Sequence, residues 1–305
     1  MNSVLITGGS GSFGTAFTRH LLAHSLAERI AILSRGEMAQ ERMAREQQDK
    51  RLRFFIGDVR DRDRLRRAFE GVEVVIHAAA LKQVVSCEYN TFETIETNIF
   101  GATNIVKSAV DAGVHKVMGI STDKACQPVT LYGASKLTLE RIFVHGNAYT
   151  KGAPTLSCVR YGNVIGSRGS VVQVFRDQSK IGNLTVTNPK ATRFWITMDQ
   201  AVEFVLSSIE MMEGGEIFVP ILPACDVGTL AKAIAPNADW SVTGLRMGEK
   251  LHEMLISPDE MRSAMRLGDR FIIRPGHELG GVMEAYGSNS AGVEQLSVDK
   301  VRALL

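Results

Sequence analysis

The stretch "STDKACQPVTLYGASK" at 121–136 carries two pairs of residues able to move protons. Asp123 stands directly before Lys124, an acid against a base. Tyr132 stands four positions ahead of Lys136, which puts both on one face of a helix. With an ordinary pKa of about 10, a phenol is a poor base at neutral pH, but neighbouring positive charge stabilises phenolate. Lysine, at about 10.4, is a base only where its surroundings lower it. Read alone, Asp123-Lys124 is a surface ion pair and YxxxK a common surface-helix pattern, so the surrounding elements must decide.

Those elements alternate. Short apolar runs at 3–7, 29–33, 53–57, 73–79, 116–121 and 156–160 are separated by helix-like stretches at 13–26, 38–50, 61–70, 91–112 and 134–149. Such alternation predicts repeated βαβ units: an α/β fold with a doubly wound parallel sheet, the Rossmann arrangement. Past Tyr161 the rhythm loosens. A smaller α/β lobe is expected there, with helices at 170–180, 198–212, 226–235 and 248–256 and strands in "LTVTN", "EIFVP" and "RFIIRP". The division falls at 1–163 for the dinucleotide domain and 164–305 for the substrate lobe, packed closely, with chain exchange between them and a cleft at their junction.

"TGGSGSFG" at 7–14 follows the first strand and opens a helix. Gly8, Gly11 and Gly14 let backbone approach a pyrophosphate and the helix approach the sheet, while helix N–H groups face the anion. Ser10, Ser12 and Phe13 complete that loop. Where an NAD-selecting site has an acid after the second strand, this chain has Ser34 and Arg35, a hydroxyl and a guanidinium suited to the 2′-phosphate of NADP. Glu37 is the rival, and would favour NAD if it faced the ribose. Asp58 can accept from the adenine amino group, or else cap a helix, with Val59 against the ring. Ala78 and Ala79 leave room at the end of the fourth strand. With such a cofactor bound, Tyr132 takes a hydroxyl proton as hydride leaves the same carbon, and burial, Lys136 and the nicotinamide charge lower Lys124.

The gross composition excludes other classes. Lys and Arg number 35 against 33 for Asp and Glu, a net +2 without a single-sign tail, so neither nucleic acid nor a membrane surface is the expected partner. "RDRDRLRRAFE" at 60–70 mixes signs as a solvated helix face does. The four cysteines are scattered, which fits reduced thiols, and "MNSVLITGGSG" lacks a signal-peptide pattern. A soluble cytoplasmic enzyme is expected. His77 and His252 have no partner at metal-ligand spacing, so both read as structural and no metal is expected.

Over nearly its whole length the chain resembles the extended short-chain dehydrogenase/reductases. "RFFIGDVRDRDRL", "VIHAAALKQV", "STDKA", "LYGASK", "VRYGNVIGSRGSV", "TRFWIT" and "GLRMGEKLHE" are similar to one branch, the inverting UDP-N-acetylglucosamine 4,6-dehydratases of bacterial surface-sugar synthesis, including those of pseudaminic acid synthesis. Retaining sugar-nucleotide dehydratases carry Asp-Glu where this chain has Asp123-Lys124. The resemblance implies oxidation at C4 through Tyr132, removal of the acidified C5 proton by Lys124, and protonation of the departing C6 hydroxyl by Asp123. Hydride returns at C6, and reprotonation of C5 from the opposite face inverts that centre. Thr122 helps position substrate and Tyr132. Lys82 serves cofactor and substrate, Asn163 contacts the nucleotide sugar, and Val164 passes the nicotinamide. Thr187 and Arg193 line the second lobe, with Arg246 on a phosphate oxygen and Glu249 on the uridine ribose. A homo-oligomer, a hexamer, is implied as well. Two rivals remain open: a UDP-sugar 4-epimerase, which needs no acid and base at C5 and C6, and a non-enzymatic NADP-binding protein.

Overall fold

Strand β1 (Ser3–Thr7) is buried at every position, as a central parallel strand covered on both faces must be. The computed structural model, which describes residues 1–150, 152–278 and 285–305, builds outward from it. After β1 come α1 (Ser12–Ala23), β2 (Arg29–Ser34), α2 (Glu37–Gln47), β3 (Leu52–Ile56), α3 (Arg62–Ala68) and β4 (Val74–His77). The single helix expected at 91–112 is divided. Helices α4 (Val84–Tyr89) and α5 (Thr91–Ile95) lead into a π-helical turn, Glu96–Phe100, and then α6 (Gly101–Ala112). In that turn the buried Asn98 accepts from the Leu81 amide and donates to the Leu81 carbonyl and to Ser135 Oγ, so the widened turn fixes the loop after β4. β5 (Lys116–Ile120), α7 (Leu131–Gly146) and β6 (Thr155–Val159) complete the first series.

Beyond residue 163 the chain forms β7 (Asn163–Val164), α8 (Val171–Ser179), β8 (Asn183–Val186), β9 (Thr192–Ile196), α9 (Met198–Met211) and β10 (Ile217–Pro220). It continues through β11 (Ala224–Asp226), α10 (Val227–Ile234), β12 (Asp239–Val242), β13 (Met254–Ile256), α11 (Pro258–Met261), β14 (Ala264–Leu267), β15 (Arg270–Ile273), β16 (Tyr286–Gly287) and α12 (Val298–Leu304). No helix among the described residues is long and apolar enough to cross a membrane.

The main sheet runs β14-β15-β10-β6-β5-β4-β1-β2-β3. All pairs from β3 to β10 are parallel, while β15 and β14 add antiparallel at the far edge. The sheet thus draws strands from both sides of residue 163. A second, smaller core gathers Val172, Phe175, Leu184, Trp195 and Leu230 beneath α8, α10 and the short sheets β8-β12 and β11-β9-β7.

The helix expected at 248–256 is absent. Gly248 has φ +74°, Leu251 O accepts from the Thr192 amide, and His252 bridges to Thr192, so tertiary hydrogen bonds draw the segment out along β9 into strand β13. Glu249 therefore caps no helix.

Candidate active site

A cleft of about 940 Å³ lies at the carboxyl ends of the parallel strands and is walled on its other side by residues from beyond 163. Its floor is the glycine loop. A Cβ on Gly8, where φ is +66°, would sit 2.9 Å from Ala79 backbone, and one on Gly14 would sit 2.4 Å from Gly9 Cα. α1 opens at Gly11 without a side-chain cap, leaving its first N–H groups to a ligand anion. These features fit a dinucleotide pyrophosphate.

Gly8, Ser10, Gly11, Ser12, Phe13, Gly14, Ser34, Arg35, Asp58, Val59, Ala78, Ala79, Lys82 and Val164 all line the cleft, whereas Glu37 does not. Ser34 accepts from Ser10 Oγ at 2.8 Å, tying β2 to the glycine loop. Arg35 Nη1 is 3.8 Å from Asp58 Oδ2, its side chain 55% exposed and its remaining donors free of hydrogen-bond partners among the described residues. Asp58 caps no helix, since Asp61 caps α3. Its carboxylate instead takes Arg60 Nε and Nη2 at 3.1 and 2.8 Å; burial raises its pKa, but Arg60 outweighs this and holds it below the usual range.

Residues 123–125 form one 3-10 turn packed against the start of α7. Gly133 makes that packing feasible: a Cβ there would lie 2.3 Å from Lys124 O. Thr130 caps α7 by accepting from the Gly133 amide, which fixes Tyr132 and Lys136 in the first turns. Asp123 is wholly buried. Its Oδ1 accepts from Thr122 Oγ1 at 2.9 Å and from Lys124 Nζ at 2.9 Å, while Oδ2 has no partner among the described residues. The pair is no surface ion pair: Lys124 lines the cleft with Tyr132, Lys136 and Thr122, whereas the wholly buried Asp123 is bonded to Thr122 and Lys124 and does not itself line it. Ser121, also on the cleft, turns its hydroxyl to Glu140 at 2.6 Å.

The electrostatics differ from expectation at two residues. Burial by itself lowers Lys124, but Asp123 and Glu253 carboxylates outweigh it and hold the ammonium above the ordinary lysine range. Burial pushes the Tyr132 phenol up to about 12, against the opposing charge of Lys124. The cations present in the site thus do not by themselves make a base of Tyr132. Lys136 is pulled down to about 8 by burial and donates to Ile120 O at 2.8 Å. His77, buried and brought down to about 3, stays neutral with Nδ1 2.8 Å from Thr7 Oγ1, and His252 Nδ1 lies 2.8 Å from Thr192 Oγ1.

On the second wall, Glu249 Oε1 accepts from Arg193 Nη2 at 3.1 Å and Thr187 Oγ1 at 3.0 Å, and Oε2 accepts from the Arg246 amide at 3.2 Å. Asn163, Thr187, Arg193, Arg246 and Glu249 therefore share one side of the cleft. Sequence reasoning left out Arg168, Lys250 and Glu253, which line it too. Arg168 donates its amide to Ser12 Oγ and its guanidinium to Ser10 O, and its carbonyl accepts from Lys82 Nζ at 3.2 Å, strapping the second lobe to the glycine loop. Glu253 sits 3.4 Å from Lys124 Nζ. All three lie within quoted motifs, yet only folding brings residues so far apart in sequence together.

The chain is similar over most of its length to known proteins. A UDP-N-acetylglucosamine 4,6-dehydratase (inverting) of Campylobacter jejuni is 44% identical over 95% of this chain and 88% of its own. A UDP-glucose 4-epimerase of Rickettsia felis is 38% identical over 99% and 95%. Among solved structures, Pen from Bacillus thuringiensis superposes with a TM-score of 0.93 at 35% identity, covering 99% of this chain and 96% of that one. DesIV, a dTDP-glucose 4,6-dehydratase from Streptomyces venezuelae with NAD and TYD bound, gives 0.75 at 26%, covering 82% and 86%. The family of polysaccharide biosynthesis proteins matches residues 4–275, and the chain belongs to it.

Proposed function

We propose that this protein is an NADP-dependent, inverting UDP-N-acetylglucosamine 4,6-dehydratase. One observation carries the reading: Lys124, bonded to the buried Asp123, lines the cleft beside Tyr132, in a chain 44% identical to a dehydratase of that name. When bound, the cofactor supplies reversible hydride transfer, from C4 and back to C6, so the conversion is redox-neutral.

The chain's own groups manage the protons. Tyr132 receives the C4 hydroxyl proton, helped by Lys136, which also serves the cofactor. Thr122 orients Asp123. The resting pair holds one proton, on Lys124. Moving it along the 2.9 Å bond to Asp123 yields the acid and the base that elimination needs. Lys124 then takes the C5 proton, acidified by the 4-ketone, and Asp123 protonates the C6 hydroxyl, which leaves as water. The pair ends as it began. C5 reprotonation from the opposite face, by a proton from water that balances the one Tyr132 took from the C4 hydroxyl, gives inversion. Asn163, Thr187, Arg193, Arg246, Glu249 and Lys82 hold the nucleotide sugar.

Ser34 and Arg35 support NADP, because they line the cleft at the end of β2 while Glu37 does not, and the Asp58 carboxylate near Arg35 is already forked by Arg60. Four buried free thiols support a reducing, cytoplasmic setting. The exposed Val85, Tyr89 and Phe92 on α4 and α5, with Phe100 after them, support a homo-oligomer that covers them.

Incubation with UDP-N-acetylglucosamine is expected to give a product lighter by one water, with Lys124→Ala slowing its formation about 10²- to 10⁴-fold. An isomer of unchanged mass that survives Lys124→Ala establishes the epimerase instead, a reading the Rickettsia relative keeps in view. Inertness establishes a binding protein. Light scattering on the same sample reads the assembly.

A further inference from the structure

Glu253, immediately before β13, is 3% exposed, and burying a carboxylate that deeply is costly unless it is paired. Its Oε1 lies 3.4 Å from Lys124 Nζ and 4.0 Å from Arg193 Nε. Its Oε2 is buried on the cleft with no hydrogen-bond partner among the described residues. The backbone at this residue is clamped from both directions: the Glu253 amide donates to Ser288 Oγ at 3.0 Å, and the Ser288 amide donates to Glu253 O at 2.8 Å. Ser288 is itself wholly buried and hydrogen-bonded to β9. The structure thus holds a carboxylate rigidly beside an ammonium that already has one.

We infer that Glu253 is a positioning residue for Lys124, a second, fixed anchor that keeps the amine in place and sets its proton affinity while Asp123 trades its proton with the substrate. The inference rests on the dehydratase reading. In that cycle Asp123 passes through its neutral acid form, and at that moment it no longer attracts the amine as an anion. A lysine's four-carbon stem is flexible and would swing toward solvent. Glu253, held 3.4 Å from the amine by its clamped backbone, exchanges no proton with the sugar in that cycle. Arg193 offsets part of the Glu253 charge and is itself held by Glu249, so the wall supplies a counterweight. The groups facing Lys124 are Asp123, Glu253, Arg193 and Tyr132: the two carboxylates favour its protonated form, and Arg193 opposes them.

The sign follows. Removing one carboxylate lowers the pH at which Lys124 gives up its proton. The resting pair needs that proton, so the basic limb of kcat/KM moves down with it. In the full chain loaded with cofactor, competitive acetylation of Lys124 by acetic anhydride, read by peptide mass spectrometry across pH, gives the midpoint without any turnover. Glu253→Gln is expected to lower that midpoint by about one unit or more. Glu253→Asp, which restores the charge at greater distance, is expected to recover part of the shift and is the variant to read if Glu253→Gln does not fold. A midpoint equal to that of the unsubstituted protein in the folded variant overturns the inference. The kcat/KM profile separates the two claims: no loss of water by the unsubstituted protein sinks the dehydratase reading, while the Lys124 midpoint still decides the role of Glu253.

Discussion

At the scale of single residues, the site turns on how one proton is shared. Lys124 is 26% exposed at its side chain and bracketed by carboxylates 2.9 and 3.4 Å away, so at rest it is an ammonium and Asp123 its counter-ion. In the proposed cycle a base is made by internal transfer rather than by a permanently lowered lysine. The same scale governs cofactor choice. Among the described residues Arg35 pairs with Asp58 alone, at 3.8 Å, and that carboxylate is already forked by Arg60, so the Arg35 donors are available to a 2′-phosphate. A hydrogen bond to a charged group contributes about 1.5–3 kcal/mol. Arg35→Ala is accordingly expected to weaken NADP binding about 10- to 100-fold and to leave NAD binding nearly unchanged. Calorimetric titration of both nucleotides checks this, and an equal loss for both would assign Arg35 to the adenine end in general.

At the scale of elements, a buried arginine ties α7, which carries Tyr132 and Lys136, to the second half of the chain. Arg160, directly after β6 and wholly buried, gives Nε and Nη2 to Glu140 of α7 at 2.9 and 2.7 Å, and Nη1 and Nη2 to Glu260 of α11 at 2.9 and 2.7 Å. Glu260 also closes the capping box of α11 with Ser257. Burial alone would raise the Glu260 carboxyl, but Arg160 outweighs it and holds it at about 2. A carboxylate depressed in this way stabilises the fold fully above its ordinary pKa of about 4.3, and that contribution fades as pH falls toward 2. Glu260→Ala leaves part of a buried guanidinium unpaired and is expected to cost about 3–5 kcal/mol in urea unfolding at pH 7. The deficit should shrink as the pH is lowered through 4. A deficit independent of pH would mean that the cap, not the ion pair, carries the stability.

At the scale of the molecule, the two halves are not separable pieces. β10, β15 and β14 extend a sheet begun by β1, and Phe204, Val205, Phe218 and Ile272 share the main core with Val4, Leu5 and Phe17. A fragment of residues 1–163 lacks the strand that covers the edge of β6 and the wall carrying Arg193 and Glu249. It is expected to show no cooperative thermal transition and no affinity for UDP-N-acetylglucosamine, by circular dichroism and calorimetry. A sharp transition in the fragment would show that the first series of strands folds alone.

Local chemistry wrote much of this into the sequence. The period of the apolar runs marked β1 through β6, and the need for glycine where backbone meets backbone marked the cofactor loop. The Tyr132/Lys136 spacing became one helix face because 3.6 residues make a turn wherever that helix sits. Segments with ambiguous local preference waited on tertiary contacts. The helix expected at 248–256 is extended because β9 offers its hydrogen bonds, and the helix at 91–112 is divided where Asn98 must reach Leu81 and Ser135. The charge state of Lys124 was beyond the sequence for the same reason: it depends on Glu253, 129 positions away along the chain but 3.4 Å away in space, and electrostatic energy falls with distance, not with residue number.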